Sequence, residues 1–207
     1  MKNNVCVILE VYNEAHRLEE CLKNFKWAEE LVVFIKKSQD NSLEIAKKHA
    51  THTYESNFNL VSNNIPDNFK RHNTKKEWCF YITASSKIDE SLVLEIEKLT
   101  SNDSFEFDVI GLPFEMNVFG LSGDFSPWNN NYKYSLIRRS VLILSDKIHN
   151  EISWKGNKVY KIDGLKTNGR FYHYTHSNPD IFYERHIRYT KVQASQLCIE
   201  NGSKAFK

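Results

Sequence analysis

Short apolar runs alternate with amphipathic stretches through the first hundred residues. Val5 to Leu9 reads VCVIL, an unbroken apolar run of the kind that forms a strand covered on both faces. Asn13-Glu14-Ala15 then opens a helix, in which Leu18, Cys21, Leu22 and Phe25 recur at helical spacing and predict one sheet-facing side. Leu31 to Ile35 is a second buried strand. Ser42 to His49 reads as a helix, with Leu43, Ile45 and Ala46 inward, Asn41 or Ser42 as its cap and lysines near its end. Thr51 to Tyr54 is a third strand. This alternation within about fifty residues predicts a parallel, right-handed, doubly wound α/β sheet with helices on both faces.

The polar, asparagine-rich segment from Glu55 to Lys75 reads as loop with room for a short helix. Trp78 to Ile82 (WCFYI) is another buried strand, Asp89 to Leu99 another amphipathic helix, and Phe105 to Val118 one or more strands. The second half is richer in short aromatic β-like runs: Tyr132 to Arg138, Ile148 to Trp154, Val159 to Ile162 and Arg170 to Tyr174. Turn residues such as Gly156-Asn157 and Asp163-Gly164 separate them. Asn178-Pro179 places a cap before a first-turn proline, and a long C-terminal helix runs from there to Gly202. Ile181, Phe182, Tyr189, Val192 and Leu197 are its apolar positions. No linker divides the chain, so residues 1–207 are expected to form one domain.

The 207 residues are 41% hydrophobic and 26% charged, enough for a core without metals or disulfides. Acids and bases are mixed to a net charge of +2, which argues against a nucleic-acid partner. Cys6, Cys21, Cys79 and Cys198 are widely spaced, with no Cys-x-x-Cys pair, and are expected to be reduced thiols. With no signal peptide and no apolar span, the expected setting is cytoplasmic; contact with a membrane is left to the surface.

Several motifs carry a resemblance. They are Val11-Tyr12-Asn13-Glu14-Ala15, Glu20-Cys21-Leu22, Trp27-Ala28-Glu29-Glu30-Leu31-Val32-Val33, and Ser38-Gln39-Asp40-Asn41-Ser42-Leu43-Glu44-Ile45-Ala46-Lys47-Lys48. In order and spacing they resemble the family 2 glycosyltransferases, in the branch of the bacterial lipopolysaccharide-core glucosyltransferases. More loosely, Tyr134 to Arg139 resembles that family's arginine strand, Ile148-His149-Asn150-Glu151 its Val-His-Glu element, and His173-Tyr174 its His-Tyr pair. The resemblance implies a GT-A fold, with residues 1–100 as the nucleotide-sugar-binding half and 101–207 as the acceptor half and C-terminal helix. It further implies a nucleotide-sugar donor and inverting transfer of one sugar to a glycan or lipid-linked acceptor.

Two departures fall on the donor site. Ile35 stands where the family has an aspartate that contacts the base. Thr83-Ala84-Ser85 stands where it has an Asp-x-Asp that holds a divalent cation on the diphosphate. Hydroxyls and a methyl are poor substitutes for carboxylates, so Mg²⁺ or Mn²⁺ loses its expected anchor. Cationic side chains do the same electrostatic work on a leaving diphosphate, and Lys36, Lys37, Lys87 and Arg138 are the candidates. Against this stands the plain reading of the three lysines as solvated surface charges.

Tyr12, Asn13, Glu14, Ile35, Thr83 and Ser85 complete the expected donor site at the strand ends. Glu151 is the expected general base, with His149 orienting it. Asp40 reads as a helix cap. His173 and His176 are expected to be structural rather than metal ligands, and Tyr172, Tyr174, Phe182 and Tyr183 are candidates for an acceptor groove. Three function classes stay open: an active, metal-independent transferase, a catalytically silent sugar- or protein-binding member of the same fold, and a structural subunit that uses the aromatic half as an interface.

Overall fold

A computed structural model describes residues 3–56, 65–126, 128, 131–145, 152–176 and 178–201. The chain begins β1 (Val5–Val11), α1 (Ala15–Asn24), β2 (Glu30–Lys36), α2 (Ser42–His49) and β3 (His52–Ser56). Next come α3 (Ile65–His72), β4 (Trp78–Ile82), β5 (Ser86–Ile88) and α4 (Glu90–Thr100). The second half holds β6 (Val109–Val118), β7 (Tyr132–Arg138), β8 (Leu142–Leu144), β9 (Ile152–Trp154), β10 (Val159–Lys161), α5 (Gly164–Thr167), β11 (Phe171–Thr175) and α6 (Pro179–Asn201).

The main sheet has the order β3-β2-β1-β4-β7-β6-β11-β5, and β10 pairs with the first part of β6. β3, β2, β1 and β4 are parallel, and β7 is antiparallel to β4 and β6. The first two crossovers step the same way along the sheet, so right-handedness puts α1 and α2 on one face; the return from β3 to β4 reverses direction and puts α3 on the other. The strand pleat follows suit. Val5, Val7, Leu9 and Val11 pack with Leu18, Leu22, Ala46, Leu92 and Ile96 under α1, α2 and α4. Cys6, Ile8, Val32, Phe34, Cys79 and Tyr81 face α3 and the β8–β9 ribbon, through Phe69, Leu142, Leu144 and Ile152.

Aromatic packing joins the halves. Phe80 on β4 lies 5.8 Å from Phe25, the C-cap of α1, and 5.3 Å from Phe171 on β11, and Phe114 on β6 is 5.9 Å from Phe171. Phe25, Phe80 and Phe171 are buried, each stabilising the fold by roughly 1.5–3 kcal/mol through the area removed from water. This cluster curls the sheet so that β5 and β11 come beside the end of β4.

Most expected elements appear with ends shifted by a residue or two, and α2 spans the expected residues. The segment read as loop with room for a short helix contains one, α3. β5 was not expected, because three residues are too short to show a period; antiparallel pairing to β11 makes it a strand. In the expected strand from Ile148, only Ile152–Trp154 falls within the described residues. The C-terminal helix is long, as anticipated, with Val192 buried but Tyr183, Ile187 and Leu197 exposed.

Candidate active site at the carboxyl rim of the sheet

The ends of β1, β2 and β4 meet at one rim, in register: Val11 pairs with Ile35, and Leu9 with Ile82. Beyond β1 the chain turns at Asn13, which is left-handed at φ 54°, a conformation that asparagine tolerates better than most residues. The turn is latched to the β2–α2 loop. The Asn13 amide donates to Ser38 Oγ (3.0 Å), Asn13 Oδ1 accepts from the Gln39 amide (2.8 Å), and the Glu14 amide donates to Ser42 Oγ (3.1 Å).

Asp40 joins the starts of two helices, accepting from the Ala15 amide at 2.9 Å and the Ser42 amide at 3.1 Å. The N-cap position of α2 is Asn41, and Asp40 just before it serves the first amides of both α2 and α1. Against burial, which acts the other way, the hydrogen bonds from Ser42 and Ala15 hold its carboxyl below the usual range.

After β4 the hydroxyls bond one another. Thr83 Oγ1 lies 2.8 Å from Ser85 Oγ and 3.2 Å from Ser86 Oγ, and Ser86 Oγ also accepts from the Thr83 amide at 3.1 Å. Ala84, Ser85 and Ser86 are buried. A divalent cation does not fit these residues: they offer no carboxylate, and their hydroxyls already have partners. Acids do stand nearby at Glu14 and Asp40, but both are held by other groups.

Two arginines supply the charge at this rim. Arg17 makes a forked pair with Glu14 (Nε–Oε2 2.5 Å, Nη2–Oε1 2.8 Å), and its Nη1 donates to the Tyr174 carbonyl at 3.3 Å. Tyr174 is in turn anchored to the β4 end, its amide donating to the Ser85 carbonyl at 2.9 Å. One turn along α1, Cys21 Sγ is 3.5 Å from the Thr83 carbonyl. Arg185, from α6, reaches Glu14 Oε1 at 3.6 Å. Two guanidinium groups therefore share one carboxylate, and Arg17 is linked to the Ser85 carbonyl through the Tyr174 backbone. Neither was anticipated from sequence. Glu14-x-x-Arg17 at a helix start is a local signal for the first, whereas nothing near Arg185 distinguishes it on a long polar helix.

Of the anticipated cations, Lys36 ends β2 at this same rim and Lys37 follows it. Lys36 is ion-paired with Glu10, whose Oε1 accepts from Asn68 Nδ2 at 2.6 Å. Lys37 is exposed and left-handed at φ 45°. Lys87 is exposed on β5, paired across to Tyr172. Arg138 lies at the opposite end of the sheet, where it pairs with Trp78 at the start of β4. It contacts Glu77, donates to the carbonyls of Phe107 (2.8 Å) and Phe105, and lies 4.6 Å from the Trp78 ring. Its place as a donor-site cation is corrected: the antiparallel direction of β7 carries its end to the amino rim. Ile35 is 2% exposed and faces the α1–α2 side. Tyr12 and Asn13 are exposed at the rim. His149 and Glu151 lie outside the described residues.

Of the aromatic candidates, Tyr172 and Tyr174 stack at 6.0 Å, with Tyr174 43% exposed beside Arg17. Burial first, then the 3.0 Å bond to Asp89, push the Tyr172 phenol up to about 12. Burial, then Lys133, Arg17 and Arg185, push His173 down from 6.5 to about 4. His176 packs among the rings of Phe119, Trp128, Phe182 and His186. Among the described residues, neither His173 nor His176 belongs to a group of three metal-ligating side chains. Surface grooves at α4, β10 and α5, lined by Ser91, Leu94, Lys98, Tyr160 and Asp163, include no rim residue.

The architecture has counterparts among solved structures. Residues 1–349 of S. aureus TarS in complex with UDP match at a TM-score of 0.57 and 14% identity, over 89% of this chain and 63% of that one. The same fragment without that nucleotide in its description matches at 0.56 and 15%, with the same coverage. The fold is GT-A-like. The chain spans less than two thirds of the TarS fragment, and 22% of a further S. aureus TarS crystal structure (TM-score 0.46, 18% identity, 56% of this chain). No family model matches the sequence. A search of curated proteins gives no match either. Among the described residues, no helix is long and apolar enough to cross a membrane.

Proposed function

We propose that the rim binds the diphosphate of a nucleotide sugar without a metal ion, and that the chain is a glycosyltransferase of the hexosyltransferase type acting on a glycan or lipid-linked acceptor. The family 2 assignment, its lipopolysaccharide-core branch and a cytoplasmic setting belong to the same proposal. The observation that carries it is the pair Arg17 and Arg185 meeting on Glu14, with Arg17 joined through the Tyr174 backbone to the Ser85 carbonyl. Guanidinium forks match phosphate oxygens and keep their charge at any working pH.

In this reading Tyr12, Asn13, Thr83 and Ser85 border the donor, and Tyr174 offers an exposed ring face to the acceptor. The acceptor hydroxyl attacks the anomeric carbon and gives its proton to a carboxylate, for which Glu151 is the candidate with His149 orienting it. The bond to the phosphate oxygen breaks, and the arginines neutralise the charge that grows there. Calorimetry with UDP and UDP-hexoses, with and without Mn²⁺, is the test. Equal binding in both, weakened in Arg17→Ala, supports the reading. Binding that requires Mn²⁺, or no binding by the folded protein, overturns it.

A second reading, a silent member of the fold that binds a sugar or protein, is favoured by Ile35 in the place of the base-contacting aspartate and by the self-bonded hydroxyls of Thr83 and Ser85. UDP-hexose binding without release of UDP, across a panel of glycan acceptors, selects it.

A further inference from the structure

Cys6, Glu30 and His72 converge at the other end of the sheet, on the face covered by α3. Cys6 and Glu30 are paired positions on β1 and β2, and His72 is the last residue of α3. One ligand atom from each lies within 4.8 Å of the others. His72 Nε2 is 3.0 Å from Glu30 Oε2, although 42 residues separate them in sequence. Cys6 is fully buried.

The geometry points to a three-ligand site for a zinc-class divalent cation, which would clasp α3 to the first two strands. A thiolate, an imidazole and a carboxylate form a borderline-soft donor set that suits Zn²⁺ and disfavours Mg²⁺ or Ca²⁺. With bonds of about 2.0–2.3 Å, tetrahedral ligand atoms stand roughly 3.3–3.8 Å apart, so a pair at the 4.8 Å limit closes by about 1–1.5 Å and the His72–Glu30 pair opens slightly from 3.0 Å. The outer layer is already arranged. His72 Nδ1 meets Tyr54 Oη at 3.2 Å, which fixes the ring with Nε2 inward. Thr74 Oγ1 donates to Glu30 Oε2 at 2.6 Å, and the Cys6 thiol is hydrogen-bonded to the same carboxylate, so the three ligand groups already meet one another. The fourth position goes to water. Strand pairing and the separation of the three segments make this a staple of structure, remote from the rim and independent of its chemistry.

The test uses the full chain, reduced and stripped of metal, in the Cys198→Ser background, which removes the exposed thiol. Titration with Co²⁺ should give tetrahedral visible bands and a thiolate-to-metal charge-transfer band, saturating at one ion per chain. Zn²⁺ should bleach these bands and raise Tm. Cys6→Ser should abolish the charge-transfer band, while Cys79→Ser keeps it. His72→Gln and Glu30→Gln, milder changes that retain the fold if Cys6→Ser does not, should each weaken Co²⁺ binding by about tenfold or more. No charge-transfer band, or a band unmoved by His72→Gln and Glu30→Gln, overturns the site. UDP binding in His72→Gln should match the parent protein, which separates this site from the rim.

Discussion

The two ends of the sheet use arginine in different ways. At the amino end Arg138 is fully engaged: a carboxylate, two carbonyls and the Trp78 face surround one guanidinium. At the carboxyl end Arg17 and Arg185 share Glu14, and Arg17 also donates to the Tyr174 carbonyl. The first arrangement ties the start of β4 to the segment before β6; the second ties β11 and α6 to the start of α1, at the rim where the proposed reading puts an anion. Both arginines at the carboxyl rim come from helices, and the one at the amino rim comes from a strand.

Replacing Arg138 is the most damaging way to probe this contrast. Arg138→Ala strands two carbonyls and uncovers Trp78, and should cost about 3 kcal/mol, lowering Tm by roughly 6–12 °C in a chain of this size. UDP affinity, measured below the transition, should be unchanged. Next in size, Arg17→Ala and Arg185→Ala should each weaken UDP binding by about 10–100-fold, the scale of charge-assisted hydrogen bonds to phosphate. Their melting temperatures should move far less than that of Arg138→Ala. A reversal of these outcomes would exchange the roles assigned to the two ends.

A smaller effect concerns pH. His173 titrates near 4 in the folded chain and near 6.5 when unfolded, so between these values the unfolded chain holds the extra proton. Stability is therefore full above 6.5 and falls as pH drops toward 4. Urea midpoints at pH 7 and pH 5 measure the slope, which His173→Gln and, less, Arg17→Ala should reduce; His176, also held down by burial, contributes a further part. The smallest effect is expected from Lys36→Ala. Because Glu10 holds that lysine, UDP affinity should stay within about threefold, well short of the arginine effect.

Legibility followed the same division. Val5–Val11, Glu30–Lys36 and Trp78–Ile82 stand out because a strand covered on both faces admits few polar residues. The Ser42–His49 helix stands out because its cap region and terminal lysines bracket an amphipathic stretch. β5 and β8, three residues each, are strands only because a partner lies beside them. Tyr12, Asn13, Thr83 and Ser85 stand at the rim because strand ends are visible in the pattern, and their role belongs to the proposal. Arg138 was misplaced because the pattern does not say which way β7 runs, and nearness in sequence to a strand end does not say where a long side chain reaches. Lys36 turns to Glu10, while Arg185 arrives from the far end of the chain.

The shared carboxylate at Glu14 means that the rim is never an empty positive basin. It has an incumbent. If the proposed reading holds, an arriving diphosphate must exchange with, or crowd beside, an anion already seated on the same two guanidinium groups, so its affinity is a difference between two competitors. Weakening the incumbent, as in Glu14→Gln, should tighten the grip on the visitor while loosening the hold of α6 on α1.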